Sequence, residues 1–242
     1  MTKIKFIIMV FMFLTLKLVG QVDEGTSYKF PIKPNSKEWK SISSSKEMLS
    51  VCQIPEDILQ GMNTVDLLQT CLTYPLKGNV YAYSNIKEGI EHISRQFNGF
   101  RELLLRKDNF RHLRLKFEQS RCNLHDNLFS DKNLVEKGEI MLDIALIESF
   151  LSFDSVLKNS DYNQKKQLAE VTEKMLTYKL QNKDKFGLLS ITSTSFLLGK
   201  TMQKMNRYTN EMENTTKFLD NNIMVNDTIL EEIIHTFKNA KL

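Results

Sequence analysis

The sequence predicts an all-α fold, either an irregular multi-helix bundle or a degenerate helical-hairpin array, with roughly eight to ten helices. Apolar residues recur at helical spacing along the chain, most clearly at Ile86, Ile90, Ile93 and Phe97. No proline follows Pro75, and no stretch shows convincing strand alternation. No helical repeat recurs at a regular period, which leaves an irregular arrangement of helices.

Residues 1–20 match the pattern of a secretory signal peptide. Lys3 and Lys5 precede the uncharged run 6–16, which is too short to span a bilayer comfortably. We expect cleavage after Gly20 and a secreted or periplasmic mature chain without a membrane span. An envelope protein that keeps this segment as a membrane anchor is an alternative interpretation.

Export changes the charge balance of the chain. The full sequence has 33 basic and 29 acidic side chains and a net charge of +4. Residues 1–20 hold three of the basic residues and no acidic residue, so the mature chain has a net charge of +1. This balance makes nucleic acid an unlikely partner, since nucleic-acid-binding domains are usually strongly basic.

The remaining chain is predicted to be one domain behind a short leader. Residues 21–43 are polar, contain two prolines and show no apolar period before Trp39, which predicts an extended leader. Residues 44–242 are expected to form a single helical domain. Turn-forming residues cluster at 123–133, which makes this stretch the candidate for an internal boundary.

The first helices are predicted from their terminal residues. Ser44 and Glu47 have the spacing of a capping box, in which each side chain bonds to the backbone amide of the other residue. Pro55 is expected at the first position of the next helix, where it loses no hydrogen bond. Gly61 is expected to close that helix in the left-handed conformation.

Asparagine and proline mark the helices that follow. Asn63 is expected to cap a helix over Thr64–Thr73 that ends before Pro75. Asn85 is expected to cap the next helix, and the dipeptide Asn98-Gly99 is expected to end it. We assign seven residues to the corners of the fold: Trp39, Pro55, Asn63, Tyr74, Pro75, Asn98 and Gly99.

The second half of the chain is predicted to contain four helices. Leu134–Leu157 is apolar on nearly every side, as expected for a central helix. Tyr162–Asn182 is amphipathic, and Gly187–Gly199 has no charged residue. Since thirteen residues are too few for a membrane span, we predict that Gly187–Gly199 is a buried helix. Asn226–Phe237 is predicted to be the last helix.

The first half of the chain contains a set of short motifs. They are Trp39-Lys40, Glu47–Leu49, Cys52–Pro55, Thr64–Leu68, Tyr74–Leu76, Phe97–Gly99, Glu102-Leu103, Arg106 and Asp108. These motifs resemble those of a family of uncharacterised secreted helical proteins of Bacteroidetes and some Clostridia. The resemblance covers about a third of the chain and implies a bacterial, secreted, mostly helical protein. The family has no assigned activity, cofactor or catalytic residue.

The cysteines give two interpretations. The chain has three cysteines, and an odd number in an exported protein leaves at least one outside an intramolecular disulfide. Cys52 and Cys71 are the obvious pair. Both lie on apolar helical faces, which favours buried free thiols over a disulfide.

Catalytic and metal-binding patterns are incomplete. Glu232 and His235 are spaced for one helix face, but no second such motif accompanies them. Cys122 and His125 are spaced like half of a zinc site. The Ser- and Thr-rich run 190–195 is not accompanied by a nucleophile motif. We therefore predict no metal, no cofactor and no catalytic residue.

A basic segment is the strongest candidate for a binding surface. Eight basic residues lie between Arg95 and Arg121 against three acidic ones. The alternative is a solvated helix face with local ion pairs, such as Glu102 with Arg106. The candidate binding residues are Arg95, Arg101, Arg106, Arg111 and Arg114.

These features favour an exported interaction module that binds an acidic protein or glycan surface without catalysis. Tyr81 and Tyr83 are candidates for stacking on sugars. The competing hypothesis is an exported hydrolase that acts on cell-wall or host polymers. Its candidate acids are Glu88, Glu102 and Glu148, and it requires two carboxylates that face each other across a cleft.

Overall fold

The computed structural model describes residues 26–125, 131–207, 213–221 and 228–239. These residues form thirteen α-helices and one 3₁₀ helix, with no strand among them. The all-α prediction is confirmed. There are more helices than expected because three of them have only four to six residues. The predicted signal peptide lies outside the described residues, and the candidate boundary at 123–133 crosses a gap.

The helices follow one another along the whole described chain. In order they are α1 (Lys37–Ser41), α2 (Ser45–Val51), α3 (Glu56–Gly61), α4 (Thr64–Leu72), the 3₁₀ helix (Lys77–Ala82), α5 (Ile86–Ile93), α6 (Asn98–Leu105), α7 (Asn109–His125), α8 (Leu134–Leu151), α9 (Asp154–Leu157), α10 (Tyr162–Gln181), α11 (Leu188–Lys204), α12 (Glu213–Asn221) and α13 (Thr228–Asn239).

The leader is partly helical and is attached to the domain. The prediction that residues 21–43 are extended is wrong for α1, which begins where the Ser36 hydroxyl accepts a hydrogen bond from the Trp39 amide at 3.1 Å. Serine is a favoured N-cap because its side chain satisfies a free backbone amide. Before α1, the Tyr28 amide donates to the Thr70 hydroxyl of α4 at 2.9 Å.

A cluster of aromatic rings joins the leader to the helices. Phe30 lies 6.0 Å from Tyr74 and 6.2 Å from Phe97, measured between ring centroids. Tyr74 and Phe97 stack at 3.9 Å. Phe100 of α6 lies 5.0 Å from Phe150 of α8 in an edge-on arrangement. Aromatic rings bury large apolar areas, so this cluster holds the first half of the chain against the central helix.

The predicted asparagine caps are confirmed. Asn63 and Asn85 each accept a hydrogen bond at 2.8 Å from the backbone amide three residues later. Ser44 caps α2 by accepting from the Glu47 amide at 3.2 Å. A capping box also requires the Ser44 amide to donate to the Glu47 carboxylate. Here that carboxylate accepts a hydrogen bond from the Ser43 amide, one residue earlier.

Two predicted helix ends differ in detail from the structure. Pro55 lies one position before α3, in extended backbone with φ −52° and ψ 139°. Gly61 is the last residue of α3, and its φ is not in the left-handed region. The chain leaves the helix through Met62 in extended conformation. The next helix is capped by Asn63, immediately after Met62, so a left-handed turn at Gly61 is not needed.

The prediction that Asn98-Gly99 ends a helix is wrong, because these two residues begin α6. The reason is a tertiary contact. The Asn98 side chain accepts from the Ile54 amide at 3.1 Å and donates to the Ile54 carbonyl at 2.7 Å. A Cβ atom on Gly99 would lie 2.4 Å from the Phe97 ring, so the position requires glycine.

The seven predicted corner residues lie at or near helix ends. Trp39 lies in α1 and packs against the core. The other six lie before α3 (Pro55), before α4 (Asn63), after α4 (Tyr74 and Pro75) and at the start of α6 (Asn98 and Gly99).

Helix α8 is central, as its apolar sequence predicts. It packs against α5, α7 and α11, and its residues from Ile144 to Leu151 are all buried. The predicted helix over Leu134–Leu157 is interrupted, because α8 ends at Leu151 and Asp154 begins α9. The uncharged segment forms most of the buried helix α11. None of the described helices is long and apolar enough to cross a membrane.

The 3₁₀ helix approaches α5 at a glycine. A Cβ atom built on Gly89 would lie 2.1 Å from the carbonyl oxygen of Val80. This neighbour is backbone and cannot rotate away, so any side chain here must separate the two helices.

We predict that Gly89→Ala destabilises the protein by about 1–3 kcal/mol, the usual cost of overpacking a tight contact. The matched control is Gly138→Ala in α8, where a Cβ would meet nothing within 4 Å. Alanine is favoured over glycine within a helix, so this control should gain about 0.5–1 kcal/mol. Urea denaturation followed by circular dichroism measures both changes, and equal stability of the two variants would contradict the predicted contact.

Candidate functional site

The five arginines of the predicted basic face are divided among three helices and their ends. Arg106 bonds to the Glu102 carboxylate at 2.6 Å and to the Leu59 carbonyl at 3.2 Å. Arg114 bonds to the Glu118 carboxylate at 2.7 Å. These two arginines therefore have local structural partners. The exposed members are Arg95, Arg101 and Arg111.

Asp108 has an architectural role. Its carboxylate accepts from the Thr64 hydroxyl at 2.7 Å and lies 3.3 Å from the His112 ring nitrogen. Thr64 begins α4, and Asp108 immediately precedes α7. The carboxylate thus ties the start of one helix to the start of another.

The thiols of Cys52 and Cys71 are free and buried, so the interpretation as core thiols is confirmed for this pair. Burial raises the pKa of Cys52 to about 11 and also raises the pKa of Cys71. Since the thiolate is the reactive form, neither side chain is suited to nucleophilic chemistry.

The Glu232 and His235 side chains have local partners in the described structure. Glu232 accepts a hydrogen bond from Thr215, and the His235 ring contacts the Asn239 amide. Within the described part of the chain, no group of His, Cys, Asp and Glu side chains could hold a metal ion. The side chains of Cys122 and His125 lie outside the described residues.

The three candidate hydrolase acids have different environments. Glu88 is exposed at the start of α5, and Glu102 is paired with Arg106. Glu148 is fully buried, with a relative exposure of 0%. A carboxyl group with this burial does not face an open cleft, so the structure does not support Glu148 as a catalytic acid.

Glu148 instead forms a buried ion pair with Lys179 that joins three helices. The Lys179 ammonium group lies 3.1 Å from Glu148 Oε1, 3.0 Å from the Ser190 carbonyl and 2.6 Å from Thr194 Oγ1. The Glu148 carboxylate also accepts from the hydroxyls of Ser193 at 2.5 Å and Thr194 at 2.6 Å. All three ammonium donors are therefore used.

This ion pair is structural because solvent and ligands cannot reach it. Burial lowers the pKa of Lys179, while the charge of Glu148 opposes that change. A buried charge pair is tolerable when its remaining hydrogen bonds are satisfied, as they are here. Sequence patterns do not reveal this pair, because an acid of α8 and a lysine 31 residues later carry no pairing signal.

The candidate ligand site is an open cleft of about 820 Å³. Its walls come from α4, the 3₁₀ helix, α7 and α8, together with short connecting segments. The apolar part of the lining includes Leu72, Pro75, Ile140, Ile144 and Ile147. The charged part consists of Lys77, Lys116, Lys132 and Asp143.

Lys77 and Asp143 form an ion pair inside the cleft, with Nζ and Oδ1 2.5 Å apart. Their side chains are 29% and 32% exposed. Burial raises the pKa of Asp143, although the hydrogen bond and charge of Lys77 act in the opposite direction. The Tyr81 hydroxyl donates to the Leu142 carbonyl at 2.7 Å, which attaches the 3₁₀ helix to α8 beside this pair.

The other two cleft lysines have no ion-pair partner in the part of the chain that the structure describes. Neither Lys116 nor Lys132 forms an ion pair with another described residue. The lining therefore has three positive charges against the single negative charge of Asp143. A ligand with a negative group would reduce this excess of positive charge and could form charge-assisted hydrogen bonds with the lysines.

Among the described residues that line the cleft, no aromatic ring is exposed for stacking on sugars. Tyr74 is the aromatic residue of its lining, and its side chain is 1% exposed. Tyr81 is held by Leu142, and Tyr83 packs on His92 with centroids 4.8 Å apart. The predicted sugar-stacking tyrosines thus have structural contacts instead.

Comparisons with protein-family models, with curated proteins and with solved structures give no match to this chain. The resemblance to secreted bacterial proteins therefore stays a prediction. Any assignment of function depends on the geometry of the cleft.

We predict that Lys179→Met lowers the free energy of unfolding by about 3–5 kcal/mol, because it leaves the buried Glu148 carboxylate without a cation. Adding Glu148→Leu should restore most of the lost free energy of unfolding, since an apolar pair needs no counterion. Lys174→Met, at an exposed position of the same helix, is the control and should change stability little. Urea denaturation tests the series. A double variant no more stable than Lys179→Met would contradict the ion-pair assignment.

Proposed function

We propose that this chain is an exported binding protein without catalytic activity, and that the cleft binds an organic anion with an apolar body. The observation that carries the proposal is the combination of an apolar wall, in which Pro75 and Ile140 are partly exposed, with Lys116 and Lys132, which have no ion-pair partner among the described residues. The ligand's apolar part would lie on the wall, and its acidic group would lie at the lysines.

The dimensions of the cleft support a small ligand. Its volume of about 820 Å³ lies within the range of about 300–1,000 Å³ that small-molecule sites occupy. Such sites are mostly apolar, with a few polar groups that orient the ligand. None of the five predicted binding arginines lines this cleft. The sequence predicts an acidic partner at those arginines, and we propose instead that an acidic ligand binds at the cleft lysines.

The lining does not favour the alternative functions. Asp143 is the only carboxylate among the described lining residues, whereas a glycosidase uses two acids across the scissile bond. A glycan-binding surface would present exposed aromatic rings, and Tyr74 is buried. Binding of an amphipathic anion needs neither feature.

We include export in the proposal because the N-terminal residues have the pattern of a signal peptide. Lys3, Lys5 and the uncharged run 6–16 support a signal peptide. Mass spectrometry of the mature protein from its producing cells should show a chain that begins at Gln21. An intact chain from Met1 in the envelope would support the anchored alternative instead.

We predict that 1-anilinonaphthalene-8-sulfonate binds in the cleft, and that the double variant Lys116→Gln/Lys132→Gln weakens this binding about tenfold or more. The reason is the loss of two charge-assisted contacts to the sulfonate, each worth about 1.5–3 kcal/mol before the screening that a partly exposed site imposes. Fluorescence titration at low ionic strength measures the dissociation constant.

Two controls separate the charge effect from nonspecific hydrophobic binding. N-phenyl-1-naphthylamine has the same aromatic body without the sulfonate, so its affinity should be unchanged by the double variant. Lys174→Gln removes an exposed lysine of α10 away from the cleft lining and should leave both affinities unchanged. Equal binding of the sulfonate to the wild type and the double variant would overturn the proposed function.

A further inference from the structure

We propose that the Asp143 carboxylate acts as an internal anion that occupies Lys77 until the acidic group of a bound ligand replaces it. The inference rests on the proposed function and specifies its ligand as an amphiphile with a strong-acid group, such as a sulfonate or a phosphate ester. Because protonation of Asp143 frees Lys77 for the ligand, the affinity for such a ligand should increase as the solution is acidified.

The ion pair lies where a ligand can reach it. Lys77 and Asp143 both line the cleft, and each side chain keeps about a third of its surface exposed. A ligand can therefore reach the ammonium group without unfolding the site. By contrast, the Lys179 side chain is 1% exposed and that of Glu148 is 0% exposed, so the buried pair cannot exchange partners with a ligand.

The Lys77 ammonium group has hydrogen-bond donors left for a ligand. An ammonium group has three donors, and its one side-chain partner among the described residues is the Asp143 carboxylate. The remaining donors are available in a partly exposed cleft. A ligand anion can thus approach Lys77 beside Asp143 and take over the ion pair when the carboxylate is neutral.

The charged groups around Asp143 come from each wall of the cleft. Lys77 and Lys116 lower the pKa of Asp143, whereas Glu139 in its own helix raises it. Burial is the largest influence and raises it further. The nearby Tyr81 hydroxyl has a pKa raised by burial and by the charge of Asp143. Asp143 therefore gains its proton at a higher pH than an exposed aspartate.

Protonation of Asp143 changes the charge of the cleft by one unit. The only negative charge among the described lining residues then disappears. A sulfonate or phosphate ester keeps its negative charge in mildly acidic solution, so its attraction to the cleft increases. A ligand with a simple carboxylate loses its own charge on acidification, so we specify a strong acid.

The test is a fluorescence titration with 1-anilinonaphthalene-8-sulfonate at a series of pH values downward from 7.5. We expect the affinity of the wild type to rise as the pH falls, by about three- to tenfold once Asp143 is neutral, from the removal of one nearby like charge at an intermediate dielectric constant. Asp143→Asn should bind about three- to tenfold more tightly than the wild type at pH 7.5, and should lose this pH dependence.

Asp184→Asn is the matched control, because Asp184 is an exposed aspartate between α10 and α11. It should keep the wild-type affinity and pH dependence. Lys77→Gln removes the ammonium group that the ligand takes over, so this variant should bind the sulfonate more weakly and gain less affinity on acidification than the wild type. Urea denaturation of each variant verifies that the fold is retained.

The outcomes separate the two proposals. If sulfonate binding does not depend on Lys116 and Lys132, the proposed function fails. If it depends on these lysines but Asp143→Asn has the wild-type affinity and pH dependence, only the role of Asp143 is overturned. Weaker binding by Asp143→Asn would also overturn it, because it would show that the ion pair shapes the site for the ligand.

Discussion

The buried ion pair between Glu148 and Lys179 is the constraint on which the arrangement of the other helices depends. It fixes the register of α8 against α10 and α11, since each charge has its hydrogen bonds only in one alignment. Glu148 lies five residues after Asp143, which on an α-helix is a rotation of about 140°. Asp143 therefore lies on a different side of α8 from the buried ion pair, and the helix that carries Asp143 is held in place through Glu148.

The two ion pairs of α8 show how exposure determines what a charge pair can do. The Lys179 ammonium group has three partners and no access to solvent, so it contributes to a unique packing of the core. The Lys77 ammonium group faces an open cleft with one carboxylate partner. Both carboxylates belong to one rigid helix, which couples the position of the cleft wall to the packing of the core.

The sequence predicts those features whose causes are local. Asn63 and Asn85 were assigned correctly because a cap needs only the amide three residues away. Asn98 was assigned to the wrong helix because its partner, Ile54, is 44 residues away. The cleft was missed for the same reason, since Lys77 and Asp143 are 66 residues apart. Helical periodicity identifies buried faces, but it does not show which faces meet.

The central claim is that the cleft beside α8, and not the arginine face, receives the anionic ligand. Methyl NMR of isoleucine-labelled protein, titrated with 1-anilinonaphthalene-8-sulfonate, tests this claim most directly. Ile140, Ile144 and Ile147 line the cleft, so their methyl resonances should shift in a saturable way. Ile229 and Ile233 of α13 lie outside the lining and should not shift. Unchanged resonances at the three cleft isoleucines under saturating sulfonate would contradict the account.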